Sequence, residues 1–151
     1  EHLYFPLEKA KIYSSIGGKY LKAGFKQNAV QWYTMAIKEI DLCIKISPFK
    51  ANLYDFKADL MAEMGENIDN VEVVRLKALE NYPAKAYYHF KLAVFYKKAE
   101  KVESALKYFK SAIYLQKNSN RYTILNKEEY EEAVRYTVEN ELKTDYNSES
   151  E

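Results

Sequence analysis

The sequence predicts an all-α chain of about seven helices arranged as antiparallel pairs, and three observations carry that expectation. Only four Gly and three Pro occur among 151 residues, with 30% charged and 15% aromatic residues, a composition suited to long helices joined by short turns. Between Ala86 and Lys117 two helical patterns flank one tight turn, with His89, Leu92, Ala93 and Tyr96 before it and Ala105, Phe109 and Ala112 after it. The same alternation of large and small apolar residues recurs upstream. A chain of this length can bury one continuous core.

Taken in order, residues 1–5 lack periodicity and are expected to form an irregular start, after which Pro6 suits the first turn of a helix reaching Lys22. Tyr13, Ile16, Gly17 and Tyr20 lie on that helix, and Ala29, Tyr33 and Ala36 follow Gly24. A Gly inside a helix costs about 1 kcal/mol relative to Ala, so Gly17 is expected to face a close neighbour. No Gly or Pro interrupts Lys26 to Ser47, and the stripe Tyr33, Ile37, Ile40, Ile44 continues throughout at helical spacing. Leu42 and Ile46 fall off the stripe and are expected at the surface.

Beyond Pro48 come Tyr54, Ala58 and Met61, and beyond Gly65 come Val71, Arg75 and Ala78, in step if the second turn carries one extra residue. Lys57 and Arg75 occupy places that are apolar in the other copies. Pro83 then leads into the segment from Ala86. Asn118 to Leu125 reads as a connector, and Asn126 with Glu129 forms a capping box that starts a last helix. On it Tyr130, Ala133, Val134, Thr137 and Val138 share one face.

These spacings resemble the tetratricopeptide repeat, whose pattern is W-x2-L-G-x2-Y, then A-x3-F and a closing Pro. In the best-formed copy His89 stands for the Trp, Ala93 for the Gly and Lys117 for the Pro; Tyr13 and Tyr54 stand for the Trp in the other two. The first copy closes late, at Pro48 instead of Asp41, so its second helix is expected to be about two turns longer. The resemblance implies a right-handed α-solenoid of antiparallel helix pairs. It would be a single domain over residues 6–142, with repeats at about 10–48, 51–84 and 86–119, a capping helix at 126–142 and a disordered acidic tail at 143–151.

The resemblance also implies a concave surface, lined by the first helix of each pair, that holds an extended peptide or a partner helix. By register that surface would contain Lys11, Ser14 and Lys22, then Asn52, Asp55, Asp59 and Glu63, then Tyr87, Phe90, Lys91, Val94, Lys97 and Lys98. Family members that clamp the C-terminal carboxylate of chaperone tails use Lys, Asn and Arg at places that here hold Ser14, Gly18, Phe56, Tyr87 and Lys91. Only Lys91 fits, and one ammonium does not reproduce a multidentate grip.

Other function classes find little support. Lys and Arg number 23 against 22 Asp and Glu, a net charge of +1, so no chain-wide field attracts nucleic acid or an anionic membrane. Tyr87, Tyr88, Lys97, Lys98, Lys101, Lys107 and Lys110 could serve a single-stranded nucleic acid, but Glu100 and Glu103 interrupt them, and no nucleic-acid partner is expected. His2 lies in the irregular start, His89 at a packing place, and the lone Cys43 in a helix, which leaves no catalytic set. Asp55, Asp59 and Glu63 share a helical face but lack the His or loop oxygens of a cation site, and no cofactor or metal is expected.

One cysteine excludes an intramolecular disulfide framework without fixing a compartment. No apolar stretch reaches roughly 18 residues, so no membrane insertion is expected within this chain. Because it starts at Glu1 instead of Met, the chain reads as a processed or excised piece. The expectation is therefore a non-catalytic scaffold for a protein or peptide ligand, with a homodimer through Leu42 and Ile46 as a further option. The alternative is an accessory domain of a larger, membrane-anchored or secreted protein.

Overall fold

Three turns in the chain are each built on one left-handed residue: Gly24 at φ 86°, Gly65 at φ 77° and Glu100 at φ 59°. After each of them a backbone N–H reaches back five residues, Phe25 to the Tyr20 carbonyl, Glu66 to Met61 and Lys101 to Tyr96, at 2.9, 3.0 and 2.9 Å. That is the helix-ending geometry for which Gly is best suited. Gly24 and Gly65 are 41 residues apart and Gly65 and Glu100 are 35, against about 34 for the repeat. The seven-residue lengthening and the single added residue that the sequence predicts are both present.

A computed structural model describes residues 4–118 and 125–148. Among the described residues there are seven helices: α1 (Tyr4–Lys22), α2 (Lys26–Ile46), α3 (Ala51–Met64), α4 (Ile68–Asn81), α5 (Ala86–Lys98), α6 (Val102–Asn118) and α7 (Lys127–Ser148). The chain separates into two compact units, Glu1–Asn81 and Tyr82–Glu151, where the sequence predicts one domain.

In the first unit Ala10, Ala29, Tyr33, Ala36, Ile40, Cys43, Leu53 and Leu60 form the core. Gly17 is buried, and a Cβ built on it would lie 2.7 Å from the Tyr33 ring, so the close neighbour expected from sequence is that ring. Helix α2 runs unbroken for 21 residues. Its added turns are buried on the inner side by Ile40 and Cys43, both 0% exposed. On α4, Val71, Arg75 and Ala78 are buried, as the register with one added residue requires.

In the second unit Leu92, Ala93, Tyr96, Ala105, Phe109, Ala112 and Ala133 are buried. The capping box at the start of α7 is reciprocal: Asn126 N–H donates to Glu129 Oε1 at 3.0 Å, and Glu129 N–H to Asn126 Oδ1 at 2.8 Å. Just before it, Leu125 is buried and its backbone is gripped by the Gln116 amide, accepting at 3.5 Å and donating at 3.2 Å.

The two ends differ from expectation. Helix α1 begins at Tyr4, so residues 4 and 5 are helical instead of irregular. Helix α7 extends to Ser148, so residues 143–148 are helical and not disordered. Glu141 pairs with Lys110 of α6, and the Thr144 hydroxyl donates to the Asn140 carbonyl at 2.8 Å. Residues 1–3 and 149–151, and residues 119–124 of the expected connector, lie outside the described residues.

Candidate interaction surface

The polar face of α3 is an ordered row in which each carboxylate already has a partner. Asp55, Asp59 and Glu63 follow one another at single-turn intervals. Arg75, on α4, reaches Asp55 at 3.4 Å and Asp59 at 2.9 Å. Glu63 accepts a short hydrogen bond from the Tyr33 hydroxyl of α2. Burial, and then the carboxylate that receives its proton, push the Tyr33 hydroxyl up to about 12. The row is thus tied to two neighbouring helices, and yet Asp59 keeps 39% of its side chain open and Glu63 is exposed.

The Arg at an apolar place on α4 is explained by this pairing: its guanidinium bridges the two Asp and offsets one of their two charges where another copy would have a Phe. Sequence inspection missed both ties, although one signal was present. An Arg at a core position opposite two Asp four residues apart is a pattern that asks for a salt bridge.

On α1, Lys11 is exposed and pairs with Glu8 at 2.9 Å, while Ser14 is half-buried, its hydroxyl donating to the Lys11 carbonyl. Lys22 and, on α3, Asn52 are exposed. Leu42 and Ile46 stand 50% exposed on α2, and Phe49 beyond them 82%.

On α5 the expected surface residues divide. Tyr87, Lys91 and Val94 are half-buried and Lys98 is exposed. Lys97 pairs with Glu132 of α7 at 3.1 Å and lies 5.5 Å from the Tyr136 ring. Phe90 is a correction: it is 6% exposed, packed edge-on against Phe109 of α6 at 5.9 Å, and so belongs to the core. Lys97, Glu132, Arg135, Tyr136, Glu139, Asn140 and Lys143 line a charged cleft of about 300 Å³ along α7.

The groups with chemical potential are held in structural roles. His89 donates from Nε2 to the Pro83 carbonyl at 2.7 Å, just as the Tyr54 hydroxyl donates to the Pro48 carbonyl at 2.7 Å. Both stand at the place of the repeat's Trp, and each ties its helix to the Pro six residues before it. Cys43 is 0% exposed, and burial, followed by the nearby Glu39, pushes its thiol up. Among the described residues no three His, Cys, Asp or Glu gather as metal ligands would, and no helix is long and apolar enough to cross a membrane.

No protein-family model matches the sequence, and no curated protein matches it. Solved structures do match. The chain superimposes on the first TPR domain of Spaghetti (RPAP3) bound to the HSP90 peptide SRMEEVD, with a TM-score of 0.52 and 18% identity over 87% of this chain and 94% of that one. The TPR2AB domain of yeast Sti1, in its pHSP90 complex, gives 0.56 and 22% over 87% of this chain and 46% of that one. The TPR domain of Arabidopsis OM64 gives 0.54 and 16% over 89% and 98%. The fold is that of a tetratricopeptide repeat domain. Within this tetratricopeptide fold, α1, α3 and α5 are the first helices of the three hairpins, and α7 follows the last.

Proposed function

We propose that this chain is a non-catalytic protein-interaction module that engages a partner peptide or helix through the polar face of α3. The observation that carries the proposal is the α3 row. Asp59 and Glu63 are oriented by Arg75 and Tyr33 while part of each stays open to solvent. Acceptors set in place before binding lose little side-chain freedom when a partner arrives. Carboxylates at single-turn spacing suit a segment that carries Lys, Arg or other donors.

The roles of Cys43, His89 and Tyr33 in packing and hydrogen bonding support the non-catalytic part of the proposal. On the Lys-rich side, Lys97 and Lys110 are engaged by Glu132 and Glu141, and Tyr88 is 5% exposed, which weighs against a nucleic-acid surface. The HSP90 peptide seen on one structural neighbour is acidic, whereas the row here is itself acidic; an acidic tail is not the proposed ligand.

A random peptide library displayed against the wild type and against the Asp59→Asn, Glu63→Gln variant tests the proposal. Enrichment of basic sequences by the wild type, lost on the variant, is the expected result. A library in which the wild type enriches nothing, or enriches the same sequences as the variant, overturns it.

A further inference from the structure

The turn from Tyr82 to Lys85 repeats the turn from Ser47 to Lys50. Each has Pro second, and in each the fourth N–H bonds the first carbonyl at 3.3 Å. Around the second of these turns, however, stand three tyrosines. The Lys85 ammonium lies 5.9 Å from the centre of the Tyr82 ring, 5.8 Å from Tyr87 and 5.1 Å from Tyr88. The rings are inclined to one another, Tyr82 and Tyr88 at 58° and Tyr87 and Tyr88 at 60°, so that they surround the cation instead of stacking.

The corresponding places of the earlier turn are Ser47, Asn52 and Leu53 around Lys50. The same backbone therefore closes without aromatic residues. Tyr88 and Leu53 are both buried and have a packing role, but Tyr82 is 52% exposed and Tyr87 half-buried, and neither is demanded by the turn.

We infer that Tyr82, Tyr87 and Tyr88 form a cage for a quaternary ammonium group, which the chain's own Lys85 fills in the free state. Three ring faces turned to one cation are the arrangement by which proteins hold choline and methylated lysine. Among the described residues the contacts of the Lys85 ammonium are with these rings, and neither a carboxylate nor a carbonyl bonds it. A primary ammonium gives up hydration of its three N–H donors to sit among rings, while a quaternary one has no donors to satisfy. Lys91 lies 5.6 Å from the Tyr87 ring and adds positive charge, so the incoming cation replaces Lys85 and does not join it. The biological use of the cage rests on the interaction-module proposal, but its chemistry does not depend on the α3 row.

Calorimetric titration of a short trimethyllysine peptide, its neutral tert-butyl isostere and choline distinguishes the possibilities. Lys85→Ala is expected to bind the trimethyllysine peptide at least about tenfold more tightly than the wild type and the isostere at least about tenfold more weakly than the charged peptide. Adding Tyr82→Ala, at an exposed turn position, removes the gain while circular dichroism stays unchanged. Choline bound as well as the peptide assigns the cage to the ammonium group alone, and peptide in preference to choline assigns it to a protein partner; either supports the cage. No binding by Lys85→Ala, equal binding of the isostere, or indifference to Tyr82→Ala overturns it, and leaves the α3 proposal standing.

Discussion

Gly17 lies so close to Tyr33 that a methyl group on its α-carbon would meet the ring carbons at 2.7 Å and the Ala29 carbonyl oxygen at 3.3 Å. The ring cannot yield easily, since it is 1% exposed and its hydroxyl is held by Glu63. Gly17→Ala gains up to about 1 kcal/mol of helix propensity but loses about 1–3 kcal/mol to overpacking. Urea unfolding is expected to show a net loss of stability; an unchanged midpoint would mean that α1 shifts freely against α2.

Tyr33 links stability to alkaline pH. Its folded-state value is raised from 10.0 to about 12, so the stabilisation it provides is complete below its unfolded value and is lost as pH climbs from 10 towards 12. The stability difference between the wild type and Tyr33→Phe should therefore shrink across that interval. Thermal unfolding of both proteins at about pH 9 and about pH 11.5 checks the direction, and a difference that grows instead contradicts it.

Arg75 is 9% exposed and faces two carboxylates, so Arg75→Met leaves both without that cation. Removing one side of a buried pair costs about 3–5 kcal/mol; with Asp59 partly open to water, about 2–3 kcal/mol is expected. Changing Asp55 and Asp59 to Asn in the same background should restore part of the loss. Chemical denaturation of the three proteins measures the coupling.

Glu100 occupies the left-handed turn position where the other hairpins have Gly24 and Gly65. A side chain there costs about 1–2 kcal/mol, more than the about 0.5–1 kcal/mol of chain entropy that Gly loses on folding. Glu100→Gly should raise the melting temperature, and a lower one would indicate that the Glu100 side chain has a stabilising role of its own.

Leu92 is 0% exposed between α5 and its neighbours, and Leu92→Ala should cost about 2–5 kcal/mol. A melting temperature that stays put would be incompatible with the repeat register assigned to the third hairpin.

The hairpins and their lengths were legible in the sequence because they depend on local quantities. Turn residues, helical spacing and the Asn126–Glu129 box act over a few positions, and the late Pro48, with an uninterrupted stripe before it, signals the longer α2. Tyr33 with Glu63 and Arg75 with Asp55 and Asp59 join residues 30, 20 and 16 positions apart, and no local rule pairs them. The repeat register that the resemblance implies puts Phe90 on the concave surface, but a register does not show that Phe109 comes up to cover it. By composition the polar end of α7 reads as unstructured, yet residues 143–148 continue the helix, and the Thr144 and Ser148 hydroxyls bond the Asn140 and Asp145 carbonyls.

The added turns of α2 also provide a natural sensor. Cys43, the sole thiol of the chain, sits within them, sealed at 0% exposure and held protonated by its surroundings. A thiol reagent can modify the native protein only when those turns part from the rest of the first unit. The rate of labelling at rising reagent concentration therefore reports how often this region opens, without any engineered cysteine and without signal from the second unit.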